Sequence, residues 1–281
     1  MFKHLLFCFC AVVLLLTGCT SKFSYNNVDW LLYWYVDDYV ELEKSQKKRL
    51  DVKVEKWLKW HRQEELVRYR QHLEELKSQV EQGNISEEQW LSHLARASSH
   101  WQRFRDEISL ELSELSVYLN DQQIIDMFEA LEKDNLEKVE KRNKKTEQER
   151  WQENKEDTTE QMQDWLGRLS EQQKILISES VEKFESTFES WIEYRREIQS
   201  ASKNLMLNRE KQSDYIEQFN QLIQNPDQFK SESYIKASQH NRKVYAALLA
   251  DLLPTISEKQ KRHLIKEIDD LIDDIQDLIE D

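Results

Sequence analysis

The sequence predicts an all-α protein, an elongated bundle of about six to seven long antiparallel helices with no sheet. Glycine and proline are scarce, at three and two in 281 residues, which argues for long helices and few loops. Apolar residues recur at spacings of three and four, and no stretch alternates with a period of two for long enough to predict a strand. Nine tryptophans, ten tyrosines and ten phenylalanines supply the large apolar surfaces that a disordered chain lacks.

The amino-terminal stretch predicts export and lipidation. A short basic start precedes an apolar run over residues 5–16, which has the length of a secretory signal and falls short of the roughly 20 residues of a membrane span. The run ends at Leu16-Thr17-Gly18-Cys19, which resembles the lipobox of bacterial lipoproteins. That resemblance implies a signal peptide (1–18), cleavage between Gly18 and Cys19, and lipid on Cys19. The alternative is an ordinary signal peptide with an incidental cysteine.

The residues around Cys19 extend this prediction to location. Thr20 stands where an aspartate would usually signal retention in the inner membrane. The resemblance therefore implies the inner leaflet of the outer membrane, facing the periplasm, with the inner membrane as the alternative. Residues 19–24 form the lipidated tether. Cys8 and Cys10 leave with the signal peptide, so no thiol remains for a disulfide or a cysteine-ligated metal site.

The net charge of the mature chain limits the classes of partner that it can bind. Loss of residues 1–18 removes one lysine and no acid, so the 40 basic and 54 acidic residues become 39 and 54, a net charge of −15. A chain this acidic is a poor partner for the phosphate backbone of a nucleic acid. We therefore expect two partners, the membrane through Cys19 and an envelope protein, and no nucleic acid.

Residues 25–281 are predicted to form one all-helical domain, which begins with an aromatic helix over about 28–41. This helix is apolar nearly all round, and such helices are usually buried, so the rest of the molecule is expected to pack against it. Trp30, Tyr33 and Trp34 are accordingly expected in the core, although the same rings could form an aromatic belt at a membrane surface. Residues 20–24 span at most about 17 Å, which keeps the helix near the headgroups.

Two long helices are predicted next, over 43–82 and 86–118, separated by the helix stop Gly83-Asn84. The apolar stripe of the first contains Leu50, Val54, Trp57, His61, Leu66, Tyr69, Leu73, Leu76 and Val80. The stripe of the second follows a nearly unbroken 4-3-4-3 pattern through Trp90, Leu94, Ala97, Trp101, Phe104, Ile108, Leu112 and Leu115. Both patterns are typical of helices with one face on a core.

A new helix begins at Asn120 and leads into a highly charged segment, 132–161. The simpler interpretation of this segment is a solvated helix held by ion pairs four residues apart, and the alternative is a projecting arm that presents charge to a partner. Three further helices are predicted over 171 to about 224, 234–253 and 257–279. The last one carries an acidic face opposite its apolar stripe, which is either solvated or a weak site for divalent cations.

One phrase recurs at predicted helix starts. Its copies are Ile85–Gln89, Leu119–Gln123, Leu169–Gln173 and Ile256–Gln260, with a degraded copy at Leu42–Gln46. The phrase is a capping box, in which a Ser or Asn oxygen accepts from the backbone three residues on and the glutamine reaches back to the cap N–H. It also resembles the Leu-Thr-x-x-Gln signature of small periplasmic chaperones related to Spy and CpxP, which implies a chaperone-like holdase as an alternative function.

The mature chain as a whole is similar to a family of uncharacterised Gram-negative lipoproteins, classified only as a domain of unknown function. The resemblance rests on the lipobox, on the aromatic run at 25–39 and on Trp57-x-x-Trp60-His61-Arg62. It covers nearly all of residues 19–281 and implies a helical fold and lipidation, with no known activity.

Motifs for chemistry are missing from the sequence. His93 and His100 lie seven residues apart on one helix face, about 10 Å along the axis, which is too far to share an ion directly. The other candidate pairs have helical spacing but no third ligand: His61 with Glu64 or Glu65, and His263 with Glu267. No glycine-flanked serine and no phosphate-cradling loop occurs. We therefore predict no catalytic residue, no metal and no cofactor.

The leading functional prediction is a non-enzymatic protein-interaction or scaffold protein of the cell envelope. A Spy-like periplasmic holdase is the first alternative. A hydrolase whose site assembles only in three dimensions is the second, since a catalytic triad is recognised by geometry rather than by sequence position.

Overall fold

The structure is a computed structural model that describes Tyr25 and residues 27–280. This part of the chain is 85% helical and contains no strand, which confirms the predicted all-α fold. The helices are α1 (Val28–Val36), α2 (Lys44–Trp60), α3 (Leu66–Gln82), α4 (Glu87–Ser116), α5 (Asp121–Asn143), α6 (Glu147–Leu166), α7 (Glu171–Val181), α8 (Phe188–Leu207), α9 (Tyr215–Gln224), α10 (Glu232–Leu252) and α11 (Glu258–Glu280). Because α2 continues into α3, the described residues form ten helices, and the predicted number of six to seven is too low.

The helix predicted over 171–224 is divided into α7, α8 and α9. The first division, at 182–187, is stabilised by the buried side chain of Asn241 in α10. Its amide accepts a hydrogen bond from the N–H of Glu185 and donates one to the carbonyl of the same residue, both at 2.8 Å. These bonds replace the helical partners that Glu185 lacks. Periodicity cannot reveal this division, because the stabilising residue lies 56 positions away in the sequence.

The highly charged segment 132–161 spans the end of α5 and most of α6. Thr146 starts α6 with a capping box to Glu149, a cap that the recurring phrase does not include. Side chains of the segment form ion pairs with α8: Glu132 with Arg196 at 2.6 Å, Asp134 with Arg195 at 2.9 Å, and Arg142 with Glu189 at 3.0 Å. Part of this charge is therefore compensated by a neighbouring helix as well as within the segment.

The recurring phrases cap α2, α4, α5, α7 and α11, and four of them also join in pairs. The amides of Gln46 and Gln123 exchange hydrogen bonds at 2.9 and 2.8 Å, and those of Gln173 and Gln260 do so at 3.2 and 2.9 Å. Each glutamine also donates to the carbonyl two residues before its partner's cap, at Tyr118, Glu41, Thr255 or Arg168. The pairs join the start of α2 to that of α5, and the start of α7 to that of α11.

The aromatic helix α1 lies at the periphery, so the expectation that the molecule packs against it is wrong. Trp30 and Trp34 are 62% and 65% exposed. The helix contacts the body through Tyr33, whose hydroxyl donates to the carbonyl of Lys47 at 3.0 Å and to Asp51. Instead, the long helices form the core, with α3 packed on α11 and α4 packed on α9 and α10.

Candidate functional site

The helices α2 and α3 form one continuous helix, which we call the rod. The rod changes its helix type at the position where the predicted apolar stripe changes its spacing. His61–Glu65 form a π-helical turn, after which the N–H of Leu66 donates to the carbonyl of His61. The stripe steps by five residues from His61 to Leu66 and by three or four elsewhere. A π-turn has hydrogen bonds five residues apart and often marks a functional site. Glu65, the last residue of this turn, is completely buried.

Three buried histidines lie side by side next to Glu65. His72 of α3 stands between two histidines of α4, with its Nε2 3.0 Å from Nδ1 of His93 and its Nδ1 3.3 Å from Nε2 of His100. The carboxylate of Glu65 contacts Nδ1 of His100 at one end, and Oε1 of Gln79 lies 3.2 Å from Nε2 of His93 at the other. We call these five residues the histidine row.

Arg103 and Tyr69 enclose the buried end of the histidine row. The guanidinium of Arg103 binds Glu65 through two hydrogen bonds, from Nε to Oε2 at 2.9 Å and from Nη2 to Oε1 at 2.8 Å. The ring of Tyr69 stacks on His100, with the centroids 4.2 Å apart. Such a two-pronged pairing fixes the carboxylate in both position and orientation.

Burial and hydrogen bonding together determine the charge states in this region. It lowers the pKa of His72 to about 3, with a further contribution from Arg96, and it lowers the pKa of His93 as well. Burial would raise the pKa of Glu65, but hydrogen bonds from His100 and Arg103 outweigh it and lower that pKa to about 2. At neutral pH, Glu65 is therefore ionised, and His72 and His93 are neutral.

The two ends of the histidine row make opposite demands on its protons. A neutral imidazole has one donor and one acceptor nitrogen. At one end, the carboxylate of Glu65 requires Nδ1 of His100 to donate, whereas Nη2 of Arg103, 2.6 Å from the same nitrogen, requires it to accept. If Nδ1 of His100 donates, every ring donates through Nδ1. The oxygen of Gln79 requires Nε2 of His93 to donate, which reverses every bond. A rotation of the Gln79 amide, which turns its NH₂ group towards Nε2 of His93, satisfies both Glu65 and Gln79 with neutral rings.

The row is not arranged as a metal centre. Among the described residues, no group of three or more His, Cys, Asp or Glu side chains could hold a metal ion. His72 offers a different nitrogen to each neighbour, so the three rings do not converge on one point. His263 lies 3.5 Å from Glu267 as a partly exposed pair on α11.

Sequence reasoning identified His93 and His100 but missed His72, which fills the gap between them. A signal for it exists in the hairpin that α3 and α4 form at Gly83. His72 lies 11 residues before this glycine and His93 lies 10 after it, while Glu65 and His100 lie 18 before and 17 after. Residues at equal distances from the turn of a helical hairpin lie at the same height. The register of the row can thus be read from the position of the turn.

A second feature, an apolar groove, opens between α2, α4, α5, α8 and α9. Its cavity volume is 510 Å³, within the range of about 300–1,000 Å³ that is usual for ligand sites. Its lining includes Leu50, Leu112, Met127, Phe128, Ile198 and Phe219. Methionine adapts its shape to different partners, which suits a binding surface.

Two arginines and Tyr35 of α1 lie along this groove. Arg195 donates to Asp134 at 2.9 Å and to Asn135 at 2.7 Å, so its charge is compensated. Arg49 stacks on the ring of Tyr118 at 4.0 Å and has no carboxylate partner among the described residues. The groove therefore carries one uncompensated positive charge on an otherwise acidic molecule.

The predicted lipidation site, Cys19, its cleavage partner Gly18 and the tether 19–24 lie outside the described residues. None of the described helices is both long and apolar enough to cross a membrane.

These features define an all-α protein with a buried polar row and an open apolar groove. The chain belongs to DUF6279, a family of unknown function, whose model matches residues 38–235. The match includes the whole histidine row and all of the groove except Tyr35. It confirms the predicted membership of an uncharacterised family. Comparisons with curated proteins and with solved structures gave no match.

Proposed function

We propose that this chain is a lipid-anchored, non-enzymatic protein of the cell envelope, which faces the periplasm and binds an apolar segment of a partner protein. The apolar groove is the observation that carries this proposal. Its lining is dominated by aliphatic and aromatic side chains from five helices. Burial of apolar surface is the main source of affinity in protein association, and central pockets hold the residues that contribute most.

The positive charge beside the groove indicates a further property of the bound segment, its charge. Arg49 has no carboxylate partner among the described residues, and its guanidinium lies at the groove beside Tyr118. A segment that places an acidic side chain there would gain a charge-assisted hydrogen bond. We therefore infer an apolar segment with one Asp or Glu.

Photo-cross-linking in native envelopes tests the groove. A photoreactive phenylalanine analogue at Met127, inside the groove, is expected to capture one partner in stoichiometric amount. The same analogue at Ile175, which is 56% exposed on α7 outside the groove, is the matched control and should not capture it. Equal capture from both positions would contradict the proposal.

A holdase is the second candidate, because the groove has an apolar floor and arginines beside it. A holdase would yield many unfolded clients from the position of Met127, whereas an interaction protein would yield one folded partner. The number and the folded state of the captured proteins therefore separate the two functions.

The anchor is tested by metabolic labelling with palmitate. The wild-type chain should be labelled and sediment with membranes, and the Cys19→Ala variant should be unlabelled. An unlabelled wild-type chain would refute lipidation and leave the groove proposal to its own experiment.

A further inference from the structure

The outer face of α1 presents two indole rings to solvent. Trp30 and Trp34 are 62% and 65% exposed and lie four residues apart, which places them next to each other on one side of the helix. Tyr33, a neighbour of Trp30 on the helix surface, holds the helix to the body through bonds to Lys47 and Asp51 of α2. These bonds fix the orientation of the two indoles, and no described part of the chain covers them.

Tyr25, which precedes α1 in the sequence, is packed against the body of the molecule. Tyr25 is buried against α3 and α11, and its hydroxyl lies 2.8 Å from Nδ1 of His61. Only five residues, 20–24, separate this tyrosine from Cys19, and they span at most about 17 Å. A lipid on Cys19 would hold α1 within reach of the bilayer surface.

We propose that Trp30 and Trp34 lie in the headgroup region of the phospholipid bilayer that holds the anchor, and so fix the orientation of the body on the membrane. This inference rests on the proposed lipidation of Cys19. Tryptophan is enriched at membrane–water interfaces, because its ring is apolar and its N–H still bonds to polar headgroups.

The charges near α1 indicate what kind of membrane surface it fits. Asp37 and Asp38 are exposed directly after the helix, and of these two only Asp37 forms an ion pair with a described residue, Lys47, at 3.3 Å. The mature chain carries a net charge of −15, from 39 basic and 54 acidic residues. Lys44, Lys48 and Arg49 at the start of α2 are exposed as well, but the net charge of the chain repels anionic lipid. Binding should therefore depend on the indoles and favour zwitterionic lipid.

The decisive measurement uses the lipidated protein in vesicles of brominated phosphatidylcholine, which quenches tryptophans that reach the bilayer. We expect quenching of up to two of the nine tryptophans. The double variant Trp30→Phe, Trp34→Phe should lose this quenching. The matched control, Trp101→Phe, removes an indole that is 42% exposed on α4 and should retain it. Equal quenching in the wild type and the double variant would overturn the proposal.

A second measurement separates this inference from the lipidation itself. The chain from Thr20 onward contains every residue that the structure describes and carries no lipid. Its flotation with phosphatidylcholine vesicles should fall about tenfold or more in Trp30→Ser, Trp34→Ser, since each indole buries a large apolar surface. It should not rise on phosphatidylglycerol vesicles. Self-association of this chain that requires both tryptophans, without flotation, would assign the face to a second copy and overturn the proposal.

Discussion

At the scale of single residues, Glu65 is the most constrained charge of the described chain. It is fully buried, and its two oxygens face Arg103 and His100. A buried ion pair adds little net stability compared with an apolar replacement of both partners. Removal of one partner is expensive, because the other is left charged in a medium of low polarity.

Glu65→Gln is therefore expected to reduce the free energy of unfolding by about 2 kcal/mol, since His100 and the partly exposed Arg103 lose a charged hydrogen-bond acceptor. Urea denaturation measures this change. Glu64→Gln is the matched control, because the neighbouring carboxylate is 57% exposed and its ion pair with Arg68 is long, at 3.7 Å. The control should change stability by less than about 0.5 kcal/mol. Similar losses in both variants would contradict the assigned role of Glu65.

At the scale of elements, the capping glutamines connect helices that are distant in the sequence. Four of the five, Gln46, Gln123, Gln173 and Gln260, cap their own helix and also bond to the start of another, so that both donor hydrogens and the acceptor are used. The copy at Gln89 forms only its own box, with bonds of 2.8 and 3.2 Å to Ser86. One copy of the phrase therefore acts only as a helix cap, and the other four also form tertiary contacts.

Gln123→Ala is expected to cost about 2 kcal/mol, because it breaks a local cap and removes both reciprocal bonds to the buried amide of Gln46. Gln89→Ala, in the unpaired box, should cost about 1 kcal/mol. A double-mutant cycle measured by denaturant unfolding should show coupling of about 1 kcal/mol between Gln46 and Gln123. Additive losses from these two positions would show that their reciprocal bonds contribute nothing.

At the scale of the whole molecule, acid acts in two opposing ways. Lower pH reduces the net negative charge, since the isoelectric point is about 5.1, and this relieves repulsion in the compact state. The buried histidines act in the other direction. His61 and His72 have pKa values of about 4 and 3 when folded, because burial disfavours the charged ring, and an ordinary value of 6.5 when unfolded. Below pH 6.5 the unfolded chain binds more protons, so acid favours unfolding.

We predict that each of these histidines lowers the free energy of unfolding by about 1 kcal/mol between pH 7 and pH 5.5. His72→Gln removes one titrating ring, so its stability should vary less with pH in this window. Thermal unfolding at several pH values measures the slope. His240→Gln, at an exposed histidine of α10, should keep the wild-type slope. Glu65 acts in the same direction at lower pH, where its stabilisation is lost as the pH falls from 4.5 towards about 2.

The sequence predicts local features of this fold well and long-range ones poorly. The stripes of α2, α3 and α4 and the capping boxes follow from spacing, which depends only on helical geometry. The division between α7 and α8 depends on Asn241, and the position of α1 depends on which of its faces finds a partner. Neither can be read from periodicity. An aromatic helix looks alike in sequence whether it lies in a core or on a surface.

The π-helical turn at His61–Glu65 has a consequence for the rod as a whole. In a plain α-helix, one extra residue would rotate everything after it by about 100°. The π-helical turn takes up this residue, so the stripe that contains Leu50 and the stripe that begins at Leu66 stay on one side of the rod. If the same sequence formed an unbroken α-helix, His72 would be rotated by about 100° away from His93 and His100. The histidine row therefore depends on the π-helical turn that precedes it.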